Sequence, residues 1–148
     1  MLLIVDANIV LSALVFKGKT GEIFEENKVF GMLELNAPEY LLEQIEDNAL
    51  EIMKKSKLTL EDFKSVLGFV TSQIRFIEED KFSEFLHEAE KISPYKDFPY
   101  VALALSFKSK GLDAPIWSND KDLAKVPDIK VISTHELCEL LRSWGFLL

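Results

Sequence analysis

The chain has 148 residues, of which 48% are hydrophobic and 28% charged, so it has the length of about one domain and enough apolar residues to fold alone. Its 17 Lys and Arg against 25 Asp and Glu give a formal net charge of -8, which argues against a protein that binds nucleic acid through a basic surface. The single cysteine and the absence of any apolar run near the ~20 residues of a membrane span predict one cytoplasmic domain over residues 1–148, with no membrane segment.

The predicted elements begin with a buried strand. Residues 2–5 form an uninterrupted apolar run that ends at Asp6, which is typical of a strand covered on both faces. A helix is expected from residue 8 to residue 16, then a basic loop at 17–21 and a second strand at 29–35. Pro38 suits a first helical turn, and apolar residues at helical spacing continue to Met53.

The second half of the chain continues this alternation. A helix capped by Thr59 is followed by a strand at 74–77 and a helix at 81–92. A helix from 98 to 110, strands at 115–117 and 131–132, and a terminal helix capped by Thr134 come next. Because strands alternate with helices of ten or more residues, the sequence predicts a three-layer α/β/α sandwich with a mostly parallel central sheet.

Acidic residues follow two of the predicted strands. Asp6 ends the first strand, and Asp120 and Asp122 come shortly after the strand at 115–117. Asp97 begins a helix, where a simple N-cap is the alternative to a functional role. In such a sheet ligands bind at the carboxyl ends of the strands, and several carboxylates at one edge need a cation to stay ionised together. Oxygen ligands favour Mg²⁺ or Mn²⁺ over zinc.

Three segments of the chain resemble motifs of the PIN domain nucleases. Residues 6–14 look like the opening signature of that family, with an aspartate, an asparagine two positions on and a serine further along the same helix. Asp97 followed by Tyr100 resembles the third acidic motif, and residues 118–123 resemble the fourth. The likeness runs from the first residue to about residue 133, and the order of the motifs makes the set more specific than any one of them.

The resemblance implies a PIN-like nuclease domain, a metal-dependent endonuclease that acts on RNA, with DNA as the alternative. The implied catalytic residues are Asp6, Glu43, Asp97, Asp120 and Asp122, and the four aspartates are the implied ligands of Mg²⁺ or Mn²⁺. Asn8 and Ser118 are implied to orient these groups or to contact the scissile phosphate. Such ions lower the pKa of a bound water and hold the phosphate for in-line attack. Membership of the family also suggests the toxin of a toxin–antitoxin pair, with an antitoxin protein as partner.

The chain departs from the family pattern at the second acidic motif. The family places a glutamate directly before an apolar core residue, but here Gln44 precedes Ile45, and Glu43 lies one position earlier, about 100° around the helix. Glu43 faces away from the apolar stripe, where a solvated charge is the other interpretation. If Gln44 takes the ligand position, it supplies a carbonyl in place of a carboxylate. The alternative function is therefore a weakly active or inactive module that binds metal or RNA, or an interaction subunit.

The end of the chain is unusually apolar for a terminus. Trp144, Phe146, Leu147 and Leu148 are expected to pack back on the sheet, with a homodimer or partner interface as the alternative. Cys138, in the terminal helix, is expected to act as a small apolar residue.

Overall fold

A five-stranded parallel sheet organises the fold in this computed structural model, which describes residues 1–15 and 18–148. The strands are β1 (Leu2–Val5), β2 (Glu34–Pro38), β3 (Ile74–Ile77), β4 (Ile116–Trp117) and β5 (Val131–Ile132). Their spatial order is β3-β2-β1-β4-β5, and each neighbouring pair is parallel. The strand order reverses between β1 and β4, so ligands are expected at the carboxyl ends of these two strands.

Seven α-helices in the described part of the chain cover the two faces of the sheet. They are α1 (Ala7–Val15), α2 (Lys19–Phe30), α3 (Tyr40–Ser56), α4 (Leu60–Thr71), α5 (Leu86–Ile92), α6 (Phe98–Ser109) and α7 (Thr134–Ser143). α6 packs on α5 and on β1, β2 and β4, whereas α1 contacts α2, α3 and α4, and α2 contacts α7. This arrangement is the three-layer α/β/α fold that the sequence predicts.

β1 and α6 are among the most completely buried elements of the fold. Leu3, Ile4 and Val5 of β1 are fully buried, and Ile4 lies in register with Asn36 on one side and Ile116 on the other. Every residue of α6 from position 99 to position 106 is buried. A central strand and a helix buried this completely hold their ends in fixed positions, and Asp6 and Asp97 lie at those ends.

The second strand was predicted too early in the chain. α2 begins at Lys19, inside the expected loop, and ends at Gly31, whose φ of 60° lies in the left-handed region that favours glycine. The apolar pair at 29–30 is therefore the exposed end of a helix, and β2 starts at Glu34. Pro38 closes β2 instead of opening α3. Phe16 and Lys17, which the sequence assigns to a helix end and a basic loop, lie outside the described residues.

Three further details concern the helix starts. Thr59 is confirmed as a cap, because its hydroxyl oxygen accepts a hydrogen bond from the N–H of Asp62 at 3.1 Å. The predicted helix over 81–92 was too long, since two 3₁₀ turns at 79–81 and 83–85 precede α5. Thr134 was wrongly predicted as the cap of α7: the capping oxygen belongs to Ser133, while Thr134 accepts a hydrogen bond from the indole of Trp117 at 3.0 Å.

The apolar end of the chain packs only in part. The ring of Phe146 meets Phe30 of α2 edge to face, with centroids 5.4 Å apart. Leu147 is exposed, and Trp144 is about half exposed. Cys138 is buried, as expected of a small apolar residue. Within the described residues, none of the helices has the length and apolar character that crossing a membrane requires.

Candidate active site

Asp6 lies where the strand order reverses, in the single residue between β1 and α1. Its side chain is 2% exposed. Ser118, the first residue after β4, donates its hydroxyl hydrogen to Oδ2 of Asp6 at 2.7 Å. The backbone N–H of Asp6 donates to the carbonyl of Trp117 at 3.1 Å, which extends the pairing of β1 with β4 up to the carboxylate. The two neighbouring strands therefore deliver Asp6 and Ser118 to one buried point.

The loop after β4 is held by hydrogen bonds between its own residues. The N–H of Asp120 donates to the hydroxyl oxygen of Ser118 at 3.1 Å, and the N–H of Asp122 donates to Oδ1 of Asp120 at 2.8 Å. Because the oxygen of Ser118 accepts from Asp120, its single proton is left for Asp6. Asp120 is half-buried, whereas Asp122 is exposed and lies 3.7 Å from the ammonium of Lys125.

Asp97 comes into this group from the other side of the sheet. It occupies the N-cap position of α6, yet within the described residues its side chain makes no capping hydrogen bond. Burial, followed by the charges of Asp6, Asp120 and Asp122, raises the pKa of Asp97 from 3.8 to about 6. Asp97 therefore lies near enough to Asp6, Asp120 and Asp122 for their charges to act on it, and a capping role does not account for its position.

The ionised form of the buried Asp6 carboxylate is also disfavoured. Burial raises its pKa, and the charge of Asp120 adds to this effect. The hydroxyl of Ser118 and the backbone N–H groups of Asn8 and Ala7 lower the pKa but do not cancel the rise. Among the described residues, none of the salt bridges involves Asp6, Asp97 or Asp120. The cluster thus carries negative charge that the protein does not neutralise.

The chemistry of these donors fits a hard divalent cation. All of them are carboxylate oxygens, and their mutual repulsion is what a cation would relieve. As placed, the described residues contain no group of three or more His, Cys, Asp or Glu side chains arranged to hold a metal ion. Mg²⁺ usually keeps several waters and binds through one or two carboxylates together with substrate phosphate. One or two of these carboxylates could hold such an ion together with its waters, but the described side chains do not form an all-protein cage.

Gln44 is turned toward a tyrosine. The hydroxyl of Tyr100, a fully buried residue of α6, donates to Oε1 of Gln44 on α3 at 2.5 Å. Burial and the charge of Asp6 raise the pKa of Tyr100, so the phenol keeps its proton and remains the donor. One acceptor position of the Gln44 carbonyl is thus occupied by Tyr100, and this pair joins α3 to α6 beside Asp6.

Glu43 and Asn8, like Asp122, are predicted site residues that lie at the surface. Glu43 is exposed and lines a surface cavity with Tyr40, whose pKa it helps to raise. Glu43 is not among the described groups that raise the pKa of Asp6 or Asp97. Asn8 is exposed in the first turn of α1, with its backbone N–H directed at Asp6.

Comparison with known proteins identifies the family. A family model of the PIN domain matches residues 4–139. The chain belongs to the PIN domain family. Among solved structures, this PIN domain is similar to a chain of VapBC2 from Rickettsia felis, a complex bound to a DNA fragment from their promoter. The TM-score is 0.63 at 15% identity, over 90% of this chain and 98% of that one, so this likeness concerns the fold alone. A comparison with curated protein sequences finds no significant match.

The resemblance seen in the sequence is thereby confirmed, but one residue of this PIN domain was missed. Tyr100 was noted as part of a motif and was not given a role at the site. The signal was present, because a hydroxyl within the otherwise apolar run of α6 needs a hydrogen-bond partner once it is buried. Its partner Gln44 is 56 positions away in the sequence, and only the fold brings the two together.

Proposed function

We propose that this PIN domain is an endonuclease that hydrolyses RNA phosphodiester bonds with the help of Mg²⁺ or Mn²⁺. The observation that carries the proposal is the convergence of Asp6, Asp97 and Asp120 at the reversal of strand order, with no described cationic side chain paired to them. Ligands bind at this place in open α/β sheets. A site with this excess of negative charge holds a phosphate only if a cation lies between the two.

Each residue has a distinct role in this proposal. Asp6 and Asp97 are the metal ligands, with Asp120 completing the site and Asp122, which is exposed, acting at its edge. When bound, the ion supplies an activated water and charge neutralisation for in-line attack. Ser118 orients Asp6 and does not contact the phosphate, because its proton goes to Asp6 and its oxygen accepts from Asp120.

Two surface residues complete the proposed site. Asn8 lies exposed in the first turn of α1, where its amide and the positive end of the helix suit a phosphate oxygen. In this proposal Glu43 contacts the substrate, because it lines the neighbouring cavity.

The test is cleavage of an end-labelled single-stranded RNA and of a DNA with the same sequence. We expect cleavage with Mn²⁺ or Mg²⁺, none in EDTA, and none by Asp6→Asn in either metal. Asp113→Asn, which alters an exposed carboxylate paired with Lys130 at 3.3 Å, is the matched control and should cleave as the wild type does. Metal-dependent cleavage that survives in Asp6→Asn would refute the assignment of the site.

A second candidate function follows from the position of Gln44. Because its carbonyl accepts from Tyr100, the second acidic position contributes no carboxylate, and a metal-binding module without nuclease activity is the alternative. Calorimetry with Mn²⁺ separates the two functions. Metal binding together with failure to cleave any RNA or DNA would favour the inactive module, whereas binding with cleavage supports the nuclease.

We extend the proposal to a cytoplasmic toxin of a toxin–antitoxin pair, with an antitoxin protein and a second copy of the chain as its partners. The support is the family together with the fold shared with a chain of VapBC2. Induced expression of the wild type should arrest growth, and expression of Asp6→Asn should not. Equal growth with both proteins would count against the toxin role, and sedimentation of the purified chain measures whether it forms a dimer.

A further inference from the structure

A cavity adjoins the aspartate cluster on the side of α3 and α6. Its volume of about 550 Å³ lies within the range of small-molecule pockets, roughly 300–1,000 Å³. The segment around Asp97 forms one wall, because Lys96 and Phe98, the two neighbours of this aspartate, both line the cavity. Tyr40 lines it from α3, and Asp97 and Glu43 both raise the pKa of Tyr40 after burial. The cavity and the proposed metal site are therefore adjacent.

Aromatic rings form much of the cavity wall. Tyr95 is 89% exposed, an unusual state for a large aromatic side chain, with the ammonium of Lys96 5.7 Å from its ring centroid. The ring of Tyr40 is held from behind by Tyr100, at a centroid distance of 6.2 Å. Phe98 adds a third ring at the start of α6. The exposed ring of Tyr95, beside the partly buried rings of Tyr40 and Phe98, offers a surface on which an unpaired base can stack.

The polar part of the cavity is acidic. Glu39, Glu43 and Glu79 line it, and none of the salt bridges among the described residues includes any of them. Ionised carboxylates accept hydrogen bonds and donate none. Among the described residues of the wall, three carboxylates against the one ammonium of Lys96 repel phosphate on balance, so the cavity suits a base better than the sugar–phosphate chain. Ligands that stack and also present N–H donors satisfy both parts of the wall.

We propose that this cavity binds a nucleobase that carries an amino group, with guanine preferred, next to the scissile phosphate of the substrate. The Watson–Crick edge of guanine presents two adjacent N–H donors that match the two oxygens of one carboxylate. Adenine and cytosine each present one amino group to such an acceptor, and uracil presents a single ring N–H. This inference rests on the proposed nuclease function, since it describes the base specificity of the same site.

The test uses free nucleosides, which carry no phosphate and therefore report on the cavity without the metal site. Guanosine, adenosine, cytidine and uridine are titrated into the full chain in EDTA, and amide shifts of residues 95–98 are followed by NMR. We expect guanosine to bind most tightly and uridine at least fivefold more weakly. Tyr95→Ala should weaken binding of every nucleoside about fivefold, the low end of the cost of losing one base–aromatic stack.

Substitutions of the carboxylates test the preference itself. Glu43→Gln and Glu79→Gln should each reduce the ratio of guanosine to uridine affinity while leaving uridine binding within twofold. Glu46→Gln, an exposed glutamate of α3 outside the cavity, is the matched control and should leave all four affinities unchanged. Equal affinities for all nucleosides, or a response to phenol as strong as that to guanosine, would overturn the proposal by showing a non-selective apolar slot.

The two proposals fail in different ways. RNA cleavage that requires Asp6, combined with no nucleoside binding, would overturn the base pocket and leave the nuclease assignment standing. Selective nucleoside binding without any cleavage would support the base pocket and refute the proposed nuclease activity.

Discussion

Replacing Asp97 by asparagine tests whether the aspartates repel one another in the metal-free protein. Asparagine keeps the size of the side chain and removes its charge. Because the described structure shows no capping hydrogen bond from Asp97 to α6, the substitution breaks no such bond. Burial and the charges of Asp6, Asp120 and Asp122 raise the pKa of Asp97 to about 6 in the folded state. We therefore expect Asp97→Asn to stabilise the protein at neutral pH in EDTA.

The magnitude follows from the pKa. A rise from 3.8 to about 6 corresponds to about 3 kcal/mol of lost stability for a group fully shielded from solvent. Asp97 is only half-buried, and solvent screening reduces this figure to about 1.5 kcal/mol. Removing the negative charge from the start of α6 costs about 0.5 kcal/mol of interaction with the helix dipole. The net gain is about 1 kcal/mol, or roughly 2–4 °C in Tm for a domain of this size.

The pH dependence of this effect has a definite sign. The folded pKa of Asp97 lies above its unfolded value, so the native state binds the proton more tightly. This contribution to stability is fully present below pH 3.8 and is lost as the pH rises through about 6. The advantage of Asp97→Asn should therefore be full above pH 7 and absent below pH 4.

Thermal melts of the two proteins in EDTA at pH 7.5 and at pH 4 measure this difference. Asp62→Asn, at an exposed position in the first turn of α4, is the control and should lower Tm slightly at pH 7.5. A lower Tm of Asp97→Asn at pH 7.5, or the same rise at both pH values, would refute the repulsion argument. Adding Mn²⁺ should raise the Tm of the wild type more than that of Asp97→Asn, because the variant lacks one proposed ligand.

Two further predictions concern the neighbours of the cluster. Ser118→Ala removes the hydroxyl between Asp6 and Asp120. The free energy of unfolding in urea should fall by about 1–3 kcal/mol, because a buried carboxylate loses its hydrogen-bond donor. An unchanged midpoint would contradict the hydrogen-bond geometry. Gln44→Glu places a further carboxylate beside the aspartates, at the position where Tyr100 donates. The added repulsion should lower the Tm in EDTA, and calorimetry should show Mn²⁺ binding that is severalfold tighter. Weaker Mn²⁺ binding would show that position 44 does not face the ion.

The place of Asp6 and Ser118 could be predicted from the sequence because it depends on a general property of the fold. A wholly apolar run that stops at an acid indicates a buried strand, and the carboxyl ends of parallel strands share one edge. Asp97 was harder to interpret, since an aspartate at a helix start has a sufficient local explanation as a cap. Only the structure shows that the charge of Asp6 acts on this carboxylate and that it makes no capping hydrogen bond to α6.

Local sequence patterns gave the wrong secondary structure where the same pattern suits both a strand and a helix. Val29 and Phe30 are apolar and precede a glycine, which suits a strand as well as the exposed end of a helix. Periodicity also could not choose between Glu43 and Gln44, because neighbouring positions of one helix differ by about 100° and the deciding partner lies on another helix. In the structure Tyr100 donates a hydrogen bond to Gln44, and Glu43 lines the neighbouring cavity.

The acidity of the chain has a consequence for how it would hold nucleic acid. With a net charge of -8, the protein gains little from the release of counterions that drives most binding to phosphate chains. In the function proposed above, affinity comes from a cation at the aspartates and from a base stacked on the rings of the cavity. Both sources are local, because Lys96 and Phe98 of the cavity flank Asp97 directly. A substrate that binds both the cation and the cavity has its phosphate and its base on either side of Asp97. The base that the cavity prefers then determines which bond is cleaved.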